Sequence, residues 1–363
     1  MRRILSRMES GVCQLCGRTR PPVAAFLEVC GDCLRKRPAE APPVALAAHA
    51  RARREFGLPE RPPDTPGGIS CGLCLHRCRM AEGERGYCGL RENRGGRLLH
   101  HAGTPKRGLL HWYNDPLPTN CVADWVCPAR HRYGRVNLAV FYGACTFDCL
   151  GCQNWHYRLL RPPADLLSAE ELAAAAHART ECICYFGGDP SPQMPHALAA
   201  AHILAERGLR ICWETNGTMA PPLLDRAVQL SLESGGIVKF DLKAWSEPLH
   251  LALAGATNRR TLENFARAAR RFPERPEPPL VVAATLLVPG YVDAEEVGAL
   301  ARYIASFSPD IPYALLAFGP AFFLGDLPTT SRAHAEECLE AARAAGLRNV
   351  RLGNRHLLGP GYS

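Results

Sequence analysis

The chain has 363 residues, 47% of them hydrophobic and 21% charged, with a formal charge of +8. That much apolar surface excludes a disordered chain and a peptide-sized scaffold, and leaves room for one large domain with an appendage. No apolar run reaches the roughly 18 residues of a membrane span, and the start, MRRILSRMESGVCQLCG, lacks the apolar block of a secretory signal, so a soluble cytoplasmic protein without membrane contact is expected.

The excess positive charge is mostly arginine spread over the whole length, and points only weakly to an anionic partner; nucleic acid is a secondary candidate. Cysteine is more informative. Seventeen cysteines without an export signal are poor disulfide candidates, because the cytosol keeps thiols reduced, and metal explains them better.

In chain order, Cys13-x2-Cys16 and Cys30-x2-Cys33 have the paired-arm spacing of a zinc ribbon, a tetrahedral four-thiolate site with zinc preferred over iron, in a module over 1–60. Its flanks RTRPP and LRKRP add charge without interleaved aromatics, which favours a docking surface over a base-stacking platform. The Ala-rich run 44–56 predicts a short helix and reads as a plain connector. A Cys-rich segment over 61–132, opening on RPPDTPGG, needs metal to fold. Cys71, Cys74, Cys78 and Cys88 form a complete thiolate set for a structural zinc or an auxiliary 4Fe-4S cluster, with Gly83 and Gly86 turning the chain back and His76 a spare ligand. Cys121 and Cys127 either complete another site with His111 or His131 or remain free thiols.

From Arg135 the pattern alternates between short β-type runs and amphipathic helical runs. Strands are predicted at 136–142, 182–187, 209–214, 237–242, 280–288, 312–318 and 348–352. Helices are predicted after the Ser168–Glu171 capping box and over 196–207, 221–233, 259–271, 293–306 and 331–345. The expected fold is α/β: a partial (β/α)6-type barrel over 133–356 behind a Cys-rich, metal-stabilised N-terminal extension. The loops after each strand would then carry the chemistry. The later cysteines, Cys182, Cys184, Cys212 and Cys338, read as small buried apolar residues.

Directly after the first of these strands, Cys145, Cys149 and Cys152 have the spacing C-x3-C-x2-C. A 4Fe-4S cube normally takes four thiolates, so three in one loop leave an iron open, whereas a structural zinc site would want a fourth ligand. This loop resembles the signature of the radical S-adenosylmethionine (radical SAM) superfamily, with one departure: Gly151 stands where an aromatic residue usually precedes the last cysteine, leaving Phe147 or Trp155 to pack over the adenine. The resemblance implies a radical SAM barrel with a 4Fe-4S cluster whose open iron is chelated by SAM, an electron donor such as flavodoxin or ferredoxin, and a 5'-deoxyadenosyl radical that takes a hydrogen atom from the substrate.

Gly187-Gly188-Asp189-Pro190 is similar to the superfamily's GGE-type motif with Asp in place of Glu, its glycines admitting the methionine end of SAM. Glu214 and Asn216 in WETNG, and Lys239 and Asp241 in KFDLKA, stand at strand ends as further cofactor contacts; alternation puts Lys239, Asp241 and Lys243 on one face. No catalytic residue is singled out. HLALAGATNRRTLENFARAA, LLVPGYVDAEEVGALARYIA, AGLRNVRLGN and the upstream CGLCLHRCRMAEGERGYCGLR extend the resemblance over 71–353, to glycyl-radical-enzyme activases of the pyruvate formate-lyase type and still more to AmmeMemoRadiSam-system radical SAM proteins. That implies a protein or peptide substrate. The competing readings are a zinc-ribbon nucleic-acid-binding protein on a barrel scaffold and an iron-sulfur electron carrier.

Overall fold

A computed structural model describes residues 11–119 and 121–362. Its first helix, α1 (Gly31–Lys36), opens on the second ribbon arm, and α2 (Ala41–Arg54) starts with Pro42 and Pro43, whose missing N–H groups cost nothing in a first turn. Two short antiparallel pairs follow: β1 (Ile69–Ser70) with β2 (Arg79–Met80), and β3 (Arg91–Arg94) with β4 (Arg97–His100). β5 (Gly108–Pro116) runs antiparallel to β6 (Val136–Tyr142), and β7 (Leu166–Leu167) pairs with the first two residues of β5. α3 (Ala169–Ala174) begins at the predicted capping box.

The chain then alternates through β8 (Thr180–Phe186), α4 (Met194–Glu206), β9 (Arg210–Thr215), α5 (Pro221–Ser234), β10 (Val238–Asp241), α6 (Glu247–Ala254), α7 (Arg259–Ala269), β11 (Val281–Leu287), α8 (Ala294–Ala305), β12 (Tyr313–Ala317), α9 (Arg332–Ala344) and β13 (Val350–Gly353). These elements build one nine-stranded sheet in the order β13-β12-β11-β10-β9-β8-β6-β5-β7. From β6 to β13 every neighbouring pair is parallel. Burial runs through almost every residue of β6, β8, β10 and β11, as it must when helices cover one face and the interior fills the other. β13 and β7 end the sheet without pairing, so the barrel is open, as expected. Its seven parallel strands are those read from the sequence, with ends moved by one or two residues.

α2 corrects one expectation. It is no plain connector: Ala45, Ala48 and Ala52 are fully buried, and this small-residue face packs against α6 within the core of the barrel. The four-cysteine module expected to be a ribbon, in which residues 11–60 form turns and two helices with no strand, is equally well seated. Phe26 stacks on Phe323 at 4.2 Å, and the Tyr291 hydroxyl accepts from the Ala24 N–H and donates to the Val29 carbonyl, both at 3.0 Å. Arg35 reaches Asp293 at 2.7 Å. These partners lie in the loops after β11 and β12, so the ribbon sits at the carboxyl ends of the strands, the side where the chemistry is expected.

Candidate active site

The loop after β6 is held from three directions. Asp148, between two of its cysteines, is fully buried; it accepts hydrogen bonds from His49 Nδ1 of α2 at 2.9 Å and from Arg158 at 2.7 Å, with Arg53 at 3.7 Å. Burial opposes its charge, but His49 and Arg158 hold its carboxyl below the usual range. From α6, the Ala254 and Leu253 carbonyls accept the N–H groups of Asp148 (2.8 Å) and Leu150 (3.1 Å). From the upstream segment, His76 meets the Thr146 carbonyl at 2.6 Å; burial lowers His76 to about 4, so the neutral ring donates. The residue read as a spare ligand is thus a tie between the upstream segment and this loop. His49, Arg53, Asp148 and Arg158 were not read from the sequence. The one local signal was an acidic residue inside a cysteine loop.

Cys145, Cys149 and Cys152 line one cavity of about 200 Å³ with Gly187, Gly188, Asp189, Glu214, Asn216, Asp241 and Lys243. The four parallel strands β6, β8, β9 and β10 each contribute at the carboxyl end. Of the expected cofactor contacts, Lys239 alone is absent from this wall. It lies deeper, on a neighbouring cavity that shares Asn154, Phe186 and Glu214 with the first. Lys239, Asp241 and Lys243 therefore all face inward but divide between two cavities. Lys243 forms an ion pair with Asp241.

Packing explains several residue choices. Gly187 and Gly188 have φ of +60° and +59°; a Cβ at Gly188 would stand 2.0 Å from the Tyr142 carbonyl oxygen, and one at Gly187 1.9 Å from Phe141. The protein's own β6 thus demands both glycines. Asp189 spends its carboxylate on the Ser191 N–H (2.7 Å), the Thr215 hydroxyl (2.9 Å) and the Asn216 N–H (2.8 Å), tying the ends of β8 and β9 together. Asn216 in turn donates to Thr146 Oγ1 at 2.8 Å. A Cβ at Gly151 would lie 3.1 Å from both Leu324 and Phe318, so the space an aromatic would fill is already taken by β12 and its loop. Phe147 lines the cavity and meets His250 edge-on at 5.0 Å. Trp155 instead stacks on Phe322 at 5.5 Å, off the cavity wall.

Burial pushes all three loop thiols up, Cys149 to about 12, and each would repel the charge of the others. Such a set becomes thiolate only around a cation, which fits an iron cluster. Among the described residues, only Cys13, Cys16, Cys30 and Cys33 bring their ligand atoms within 4.8 Å of one another. Tetrahedral thiolates at a Zn–S distance of about 2.3 Å stand about 3.8 Å apart, and Cys16 and Cys30 are 3.8 Å apart. Burial works against the charge of Cys13, yet backbone N–H groups pull it down to about 6.

Cys71, Cys74, Cys78 and Cys88 also line a common small pocket, more widely spread, beside Arg91, whose buried Nε and Nη2 have no partner among the described residues. Cys121 and Cys127 do not converge with His111 or His131: His111 stacks on Phe141 at 4.8 Å, and Cys121 faces Lys239 at 3.1 Å. Cys182, Cys184, Cys212 and Cys338 are buried as expected, but Cys182 and Cys184 are not mere apolar filling, since both line the Lys239 cavity.

Residues 139–304 match the family model of the Radical SAM superfamily. Among curated proteins, an isethionate sulfite-lyase activating enzyme of Desulfovibrio desulfuricans is 32% identical over 45% of this chain and 50% of its own length. The uncharacterized protein MJ0808 of Methanocaldococcus jannaschii is 26% identical over 79% of this chain and 81% of its own. The chain thus spans about half the length of the activating enzyme it matches. Among solved structures, a domain of pyruvate-formate lyase-activating enzyme from Bacteroides vulgatus aligns with 48% of this chain and 99% of its own, at 19% identity and a TM-score of 0.39. No helix among the described residues is long and apolar enough to cross a membrane.

Proposed function

We propose that Cys145, Cys149 and Cys152 hold a 4Fe-4S cluster, that SAM docks on the iron they leave open, and that the enzyme abstracts hydrogen from a protein or peptide in the manner of an activase. The observation that carries this reading is a strand-end cavity with three thiols and, among its described lining residues, no fourth cysteine and no imidazole. The bound cofactors would supply a hydrogen-abstracting radical. The protein's share is to bind, orient and exclude water. Glu214 and Asp241 offer acceptors at the mouth, Lys243 fixes Asp241, and Leu253, Leu286 and Val288 keep the far wall apolar.

The similarity to an activating enzyme supports a protein substrate. In the same reading, the compact ribbon set takes zinc. The wider upstream set, beside Arg91, whose Nε and Nη2 have no partner among the described residues, takes an anionic auxiliary 4Fe-4S cluster, and a flavodoxin or ferredoxin supplies electrons.

Anaerobic reconstitution tests the proposal. SAM should change the EPR signal of the reduced cluster and release 5'-deoxyadenosine, and Cys149→Ala should abolish both. A loaded four-iron cluster indifferent to SAM, with no 5'-deoxyadenosine released, would leave the electron-carrier reading. Zinc without iron, with steeply salt-dependent nucleic-acid binding, would leave the other.

A further inference from the structure

Next to the cysteine cavity lies a second one of about 240 Å³, in whose wall Lys239 is 2% exposed. β10, which carries it, is flanked by β9 and β11, so Lys239 stands inside the sheet and not at an edge. A buried amine ordinarily finds oxygen acceptors. Here Nζ lies 3.0 Å from Cys184 Sγ and 3.1 Å from Cys121 Sγ, with the Glu214 carboxylate at 3.4 Å. Sulfur is a weak acceptor, so two thiols are a poor substitute for oxygen in solvating this group. The other thiols of the cavity are placed differently; Cys182 Sγ donates to Asn137 Oδ1 at 3.3 Å.

We propose that Lys239 is a site of oxidative covalent modification, forming an oxygen-bridged Nζ–O–Sγ cross-link with Cys184 or Cys121, with dioxygen as the co-reactant. The amine gives up one N–H and the thiol its S–H. One N–O and one O–S bond form, the O–O bond breaks, and the second oxygen leaves as water. Nitrogen and sulfur each lose two electrons, and dioxygen takes all four. The extra proton of the ammonium passes to Glu214. The reacting atoms already stand near the span of a single bridging atom, and for Cys184 both partners are anchored in the sheet. A bridge to Cys121 would also pin the segment ahead of β6 to the barrel wall. Either bridge removes a positive charge from a cavity that shares Glu214, Asn154 and Phe186 with the cysteine site. The inference does not depend on what that site binds.

The test uses full-length protein purified without oxygen, exposed to air for graded times, alkylated, digested and mapped by tandem mass spectrometry. The expected product is a Lys239 peptide joined to a Cys184 or Cys121 peptide at about 14 Da above their sum, one oxygen gained and two hydrogens lost. It grows with exposure and is reversed by thiol reductant. Cys182→Ser should retain it and Lys239→Arg should lose it; because the wild-type map stands alone, a variant that misfolds leaves the result intact. Lys239 unmodified after Cys184 and Cys121 have been oxidised would overturn the proposal. So would a join lacking the added oxygen.

Discussion

Asp148 carries a buried charge between two cysteines, and the cations that balance it come from α2 and from just beyond the loop. Removing one member of such a set leaves the others unpaired in a medium where water cannot replace it, at a cost of about 3–5 kcal/mol. Asp148→Asn should therefore lower the urea midpoint and, because the loop loses its anchor, reduce the iron retained per chain after reconstitution. An unchanged midpoint and full iron content would show that the loop is held by its backbone contacts to α6 alone. At this scale the grouping of the three thiols was legible, because spacing along the chain sets which thiols share a loop. Their supports were not: nothing local to residue 49 says that it will meet residue 148.

Among the elements, the loop after β12 decides what the cysteine loop can accommodate. Phe318 and Leu324 occupy the space over Gly151, so restoring the usual aromatic by Gly151→Phe should overpack the site and cost about 1–3 kcal/mol, read as a lower denaturant midpoint with unchanged slope. Adding Leu324→Ala should recover part of the loss, whereas no recovery would place the strain elsewhere. The strands of the barrel were legible because burial on both faces writes continuous β-branched and aromatic runs. β5 was not, since its sequence GLLHWYNDP turns from apolar to polar along its length. α6 is a short helix with Pro248 near its start. α2 was found as a helix but misjudged in role, because an alanine face is too bland to announce what it packs against.

Over the whole molecule, the ribbon and the barrel share one core, which runs from Cys13 and Leu27 through Phe323 to Leu347. If the four-cysteine set holds a metal as proposed, stripping it, or Cys33→Ser, should therefore loosen more than the first 40 residues. The thermal midpoint of the entire chain should fall by several degrees, at about 2–4 °C per kcal/mol lost, and protection of the 318–327 loop from hydrogen exchange should fall with it. A midpoint independent of metal would mean that the ribbon docks on a barrel already complete.

Ligand spacing, strand periodicity and helix capping are properties of neighbouring residues, and for these the amino-acid order was sufficient: it located the three-thiol loop, the seven parallel strands and the ribbon arms. Which side chains share a space depends on packing between segments a hundred or more residues apart. Only the folded chain could assign Asp189 to tying two strands, exclude an aromatic at Gly151, divide Lys239 from Asp241 and set a lysine between two thiols.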